Sequence, residues 1–131
     1  MDSFWHTSAV VPLIFRENHS SKAQTAYGQA DSFFAWDWMQ METEAALARQ
    51  QARERDWKKW SEIRALFQWI HLPTGEWPEI QKWNRSWRLR AADAAHLYAF
   101  RRVSAILPDL YLVSFDDEQR SLASKKGFRL I

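Results

Sequence analysis

Glu42, Asp93 and Asp116, together with His6, stand at the ends and beginnings of predicted elements. His6 closes the first predicted strand. Glu42 falls in the first turns of the helix after the second strand. Asp93 is near the start of an Ala-rich helix, and Asp116 ends the apolar run Leu110–Phe115. If the strands are parallel, these positions meet beyond their carboxyl ends, where the crevice of an open α/β sheet lies. Carboxylates gathered there suit hard divalent ions, which take oxygen ligands. Two such ions about 4 Å apart clamp the attacking and leaving oxygens of a phosphodiester. Each acid also has a plain structural reading. Glu42 and Asp93 sit where a helix dipole favours negative charge, and Asp116 sits where a helix needs an N-cap.

Apolar spacing and breakers outline the elements that would position these groups. Residues 4–6 read as a buried strand. A helix over 8–16 follows, capped by Thr7 or Ser8, with Pro12 tolerated in its first turn. Ser20 or Ser21 caps a second helix ending near Gly28. Residues 31–36 read as a strand. Asp37 is the candidate N-cap of the longest helix, Trp38 to about Arg55, in which Met41, Ala45, Leu47, Ala48 and Ala52 recur at near-helical spacing. The amphipathic stretch Trp57–Ile70 would complete a helical hairpin. Pro73 and Gly75 mark a loop. Further helices are expected over Trp77–Trp87 and Ala91–Val103, then a strand over Leu110–Phe115. A last helix, capped by Asp116 or Asp117, should end at Gly127, before a final strand at Phe128–Ile131. Strands alternating with helices imply a three-layer α/β/α sandwich around a mostly parallel sheet. No repeat or linker interrupts the chain, so one domain over 1–131 is expected.

Composition narrows the function classes. The 131 residues are 47% hydrophobic and 26% charged, an ordinary globular balance that excludes a disordered chain. No apolar run is long enough to span a membrane, and with no basic segment leading into an apolar one at the N-terminus, no secretory leader is expected. The absence of Cys excludes disulfides and thiolate metal sites, so a cytoplasmic location is expected. A net charge of +2 gives only a slight bias toward polyanions. The basic clusters Arg85, Arg88 and Arg90, and Lys58 and Lys59, read as solvated helix faces or as phosphate contacts. Nine Trp exceed what one small core can hold. They are expected in the core and at a protein interface, with stacking on bases as the other use.

The motifs resemble those of PIN-domain proteins, in particular VapC-type toxin ribonucleases. Phe4-Trp5-His6-Thr7-Ser8-Ala9-Val10-Val11-Pro12-Leu13 is similar to that family's opening, in which an Asp stands where this chain has His6. Met41-Glu42-Thr43-Glu44-Ala45-Ala46-Leu47-Ala48-Arg49 resembles its second motif. Leu89-Arg90-Ala91-Ala92-Asp93-Ala94-Ala95-His96-Leu97 resembles the third and is the most specific. Leu112-Val113-Ser114-Phe115-Asp116-Asp117 resembles the fourth, and Gly127-Phe128 matches the Gly before the last strand. The resemblance covers almost the whole chain. It implies a PIN-like fold and an endoribonuclease that cuts structured RNA with Mg²⁺ or Mn²⁺. Glu42, Asp93 and Asp116 would be catalytic and would bind the metal, with His6 at the position of the missing Asp. Thr7, Ser114, Asp117 and His96 would be auxiliary. Arg85, Arg88, Arg90, Lys58 and Lys59 would meet RNA. A cognate antitoxin and a homodimer are the implied protein partners.

His6 leaves the activity open. Imidazole is a poor ligand for Mg²⁺, although Mn²⁺ accepts nitrogen better. Three readings stand side by side. The chain is a disabled variant of an active toxin, its acid lost by a single base change; or a natural homologue that kept the fold, lost or weakened catalysis and serves as an RNA- or protein-binding module; or His6 is itself a ligand, in concert with His96. A non-enzymatic domain that binds a partner helix through its aromatic surface is the reading independent of the family.

Overall fold

The computed structural model describes residues 1–131. The chain runs β1 (Asp2–Trp5), α1 (Thr7–Ile14), α2 (Ser20–Gln29), β2 (Ser32–Trp36), α3 (Met39–Arg49), α4 (Glu54–Leu66) and β3 (Phe67–Ile70). A short 3-10 turn at Thr74–Glu76 then leads to α5 (Trp77–Trp87), α6 (Ala91–Ser104), β4 (Tyr111–Val113), α7 (Asp117–Lys125) and β5 (Arg129–Leu130). All strands pair in parallel, in the order β3-β2-β1-β4-β5.

Side-chain alternation along the strands sorts the helices into two layers, because strand neighbours point to opposite faces. Phe4 and Leu112 pack with Trp87, Leu97, Phe100 and Ala123 under α5, α6 and α7. Trp5, Phe33, Phe67 and Val113 pack with Val10, Ala23, Leu47 and Ile63 under α1 to α4. Phe4 and Leu112 are wholly buried, and burial of such side chains stabilises by about 1.5–3 kcal/mol each. The strand order reverses between β1 and β4. The crossovers from β1 and β4 leave over opposite faces, so their carboxyl ends open a crevice.

Several boundaries correct the sequence reading. The helix expected to reach Ile70 stops at Leu66, and Phe67–Ile70 is β3, paired with β2 from Phe33↔Phe67 to Trp36↔Ile70. A short apolar run fits either period. Here sheet pairing wins, with Phe67 and Trp69 on one face and Ile70 on the other. The stretch from Trp38 to Arg55 is broken after Arg49, where Gln51 takes a left-handed φ of 53°. α4 then starts afresh, with the Arg53 N–H donating to Asp56 Oδ2 at 2.9 Å. Asp37 does not cap α3. Trp38 holds that place, and the Asp37 carboxylate bonds His71 Nδ1 at 2.9 Å. The cap of α1 is His6, not Thr7 or Ser8, so Pro12 lies inside the helix rather than in its first turn. The cap position of α2 is His19 rather than a serine, and the helix runs through Gly28 to Gln29.

Candidate active site at the carboxyl end of the sheet

β1 delivers His6 to the crevice, its N–H still paired with the Val113 carbonyl at 3.0 Å. The residue is extended, and its ring caps α1: the Ser8 N–H donates to Nδ1 at 3.1 Å. A backbone N–H can only donate, so Nδ1 presents a lone pair and Nε2 carries the ring hydrogen. That Nε2–H donates to Asp93 Oδ1 at 2.8 Å. The Ser8 hydroxyl lies 2.8 Å from Nδ1 and accepts from the Phe115 N–H at 2.9 Å, fastening the end of β4 to the same imidazole. The series Ser8, His6, Asp93 has the connectivity of a nucleophile–base relay. Nδ1 is shared with the Ser8 backbone N–H, however, so the arrangement is a helix cap.

Glu42 enters from α3. Its Oε1 accepts from the Thr7 hydroxyl at 2.8 Å and from His96 Nε2–H at 2.6 Å. His96 comes from α6, on the face that carries Asp93, and is wholly buried. Its ring meets Trp36 edge-on at 5.0 Å and His6 at 4.5 Å, and its Nδ1 has no hydrogen-bond partner. Burial holds the His96 imidazole below its ordinary 6.5, more strongly than the bond to Glu42 raises it. Burial pushes the Glu42 carboxyl up, but the hydrogen bonds from His96 and Thr7 and the charges nearby outweigh it, and the group lies below 4.5. The hydrogen bond from His6 holds Asp93 below 3.8 against partial burial, with Arg90 adding to the effect.

The network thus joins His6, Thr7, Glu42, Asp93 and His96. Asp116 stands outside it: its Oδ1 accepts from the Gln119 N–H at 2.8 Å and caps α7. Ser114 is buried beside it, with Oγ accepting from the Asp116 N–H at 3.3 Å, and Asp117 is exposed in the first turn of α7. Glu44 turns away, accepting from Trp60 Nε1–H at 3.2 Å. Arg90 immediately precedes α6 and lies near Asp93, whereas Arg85 and Arg88 are exposed around the end of α5. Lys58 and Lys59 are exposed on α4 in the opposite layer, with Lys59 Nζ 5.7 Å from the Tyr27 ring centre. The basic groups therefore do not form one patch.

Sequence reasoning missed Ser8 as the clamp on His6, and also Gln119. Gln119 is fully buried; its Nε2–H donates to the Asp93 main-chain carbonyl at 3.2 Å and its backbone N–H to Asp116 Oδ1 at 2.8 Å, which ties Asp116 and Asp93 through one residue. The Asp116-Asp117-Glu118-Gln119 spacing is a capping-box signal that could have found it. Beside the network an apolar groove of about 430 Å³ is lined by Trp36, Trp38, Leu72, Trp77, Ile80 and the alanines of α6. No spacing rule links these residues in sequence.

The Mg²⁺ or Mn²⁺ implied by the resemblance does not fit this donor arrangement. Glu42 Oε1 already accepts two hydrogen bonds, Asp93 Oδ1 accepts one, and Asp116 is turned to its helix. Neither ring nitrogen of His6 offers a free lone pair. Of the expected set, His6, Glu42 and Asp93 share one network while Asp116 caps α7, and no three histidine or carboxylate groups are placed to hold one ion.

No protein-family model matches the chain, and no curated protein matches it by sequence. Among solved structures, the chain is similar to the crystal structure of Mycobacterium tuberculosis VapC20, described as a sarcin–ricin loop cleaving toxin. The TM-score is 0.73 at 17% identity, and the match covers 97% of this chain and 96% of that one. The likeness extends over both helical layers and the whole parallel sheet, so this chain has a PIN-like α/β fold.

Proposed function

We propose that this chain is a toxin-type PIN ribonuclease, acting on structured RNA as one domain, whose cleavage is impaired by His6. What supports the reading is the meeting of His6, Thr7, Glu42, Asp93 and His96 at the strand switch point of a fold like that of an RNA-cleaving toxin. His6 stands where the resembled family has its first acid. Thr7 and His96 orient the Glu42 carboxylate, His6 orients that of Asp93, and Gln119 holds the Asp93 main-chain carbonyl. Arg90, with Arg85 and Arg88, would hold RNA phosphates on the α5–α6 side, which supplies affinity without sequence choice. Divalent-ion chemistry belongs to the family's active form, and no step through an ion follows from the donors as they stand here.

The partners in this reading are RNA, a cognate antitoxin and a second copy of the chain, in the cytoplasm. No helix is long and apolar enough to cross a membrane. The second reading is a PIN-fold module that binds RNA or protein without cutting. Its support is the aromatic groove beside the pocket, where Trp38 and Trp77 remain 45% and 54% exposed.

The test compares this protein with its His6→Asp form on mixed structured RNA in Mn²⁺, Mg²⁺ or EDTA. The expected result is cleavage by His6→Asp alone, abolished by EDTA. Cleavage by neither form moves the assignment to the binding module.

A further inference from the structure

Within this reading of the fold, we infer that His6 is an internal latch that takes the place of a metal ion and shuts the carboxylate pocket to divalent cations. The argument rests on which lone pairs remain. An Asp at the start of α1 would cap the helix with one carboxylate oxygen and present the other to an ion. His6 keeps the first task, because Nδ1 accepts from the Ser8 N–H at 3.1 Å. In the second task it has the opposite sign: Nε2 carries a hydrogen and points it at Asp93 Oδ1, 2.8 Å away. A donor hydrogen thus faces a carboxylate oxygen that would otherwise be open to a cation. His96 repeats the arrangement on Glu42 at 2.6 Å, with Thr7 on the same oxygen at 2.8 Å. Mg²⁺ demands near-octahedral oxygen ligands, and here one oxygen of each carboxylate, Glu42 Oε1 and Asp93 Oδ1, is already held by protein donors.

The latch also joins the two helical layers. His6 and Glu42 belong to the α1–α4 side, and Asp93 and His96 to α6 on the other. Ser8 locks it by holding Nδ1 and accepting from the Phe115 N–H at 2.9 Å, which fixes both ring orientation and tautomer. The fold should therefore need no ion at this edge to close, and added ions should not stabilise it.

The experiment is Mn²⁺ binding to the full chain by electron paramagnetic resonance, with thermal melting in Mn²⁺ and in EDTA. The expected result is no saturable uptake by the native sequence and the same melting temperature in both solutions. His6→Asp should take up Mn²⁺ at least about tenfold more tightly and melt higher in Mn²⁺ than in EDTA, as binding to the folded state alone requires. If His6→Asp does not fold, His6→Asn keeps a cap acceptor and should likewise take up more Mn²⁺ than the native chain. Native uptake equal to that of the variant and lost in Asp93→Asn would overturn the inference. So would a folded variant that takes up none. Because RNA is absent from this experiment, a variant that binds Mn²⁺ yet cuts no RNA would keep the latch and sink the nuclease reading instead.

Discussion

Two regions meet at Trp36 and treat their chemistry in opposite ways. On one side of its indole lies the pocket of His6, Glu42, Asp93 and His96, where carboxylates and imidazoles satisfy one another within the fold. On the other side the groove leaves Trp38 and Trp77 open to solvent, with Met41 exposed nearby. Proteins normally hide aromatics and show charges. The inversion here leaves the polar groups of the pocket bonded to one another within the fold and two indoles of the groove in contact with solvent.

Substitutions that break the pocket should cost far more stability than those that strip the groove. The largest effect should come from His96→Ala, which leaves a cavity between Trp36 and His6 and removes a donor from Glu42. A loss on the order of 3 kcal/mol in urea unfolding is expected. Next, a double-mutant cycle on His6→Ala and Asp93→Ala should give a coupling of about 1–2 kcal/mol, because each removes the partner of a half-buried hydrogen bond. A coupling near zero would mean that the pair is not a latch.

Acid should weaken the pocket before it touches the groove. His96, Glu42 and Asp93 are all held below their ordinary values, so the unfolded chain binds protons first. Stability is then full above about 6.5 and falls as pH drops, first through His96 and then through the carboxylates below 4.5 and 3.8. Melting temperature against pH should show this slope, and His96→Gln should remove its upper part. The smallest stability effect is expected for Trp38→Ala and Trp77→Ala, within about 0.5 kcal/mol. The same variants should weaken binding of RNA or protein in a gel-shift or pull-down assay, and unchanged binding would remove the groove from the account.

The parallel sheet, the helices around Asp93 and Asp116 and the final Gly127 turn were readable because apolar period, caps and breakers act locally. Gly127 does take a positive φ of 75° before β5. β3 was hidden because Phe67–Ile70 satisfies either period until β2 is beside it. The sequence marked His6, Glu42, Asp93 and Asp116 as neighbours of one edge, with His96 on the helix face of Asp93, but could not show that His96 rather than Asp116 joins the network, nor give the pairing, which depends on a ring tautomer set by the Ser8 N–H. It also pointed to Asp37 and Ser20 as caps. Asp37 is drawn off by His71, and the Ser20 hydroxyl instead accepts from the Glu17 N–H and donates to the Phe15 carbonyl. The Trp groove was invisible because its members come from β2, the following turn, the loop after β3, α5 and α6.

Nitrogen NMR of the imidazole rings in ¹⁵N-histidine-labelled protein at neutral pH, with and without millimolar Mg²⁺, tests the central claim most directly. The account predicts that His6 and His96 both carry hydrogen on Nε2 only, with no change when Mg²⁺ is added. An unprotonated His6 Nε2, or a shift of either ring that saturates with Mg²⁺, would contradict it.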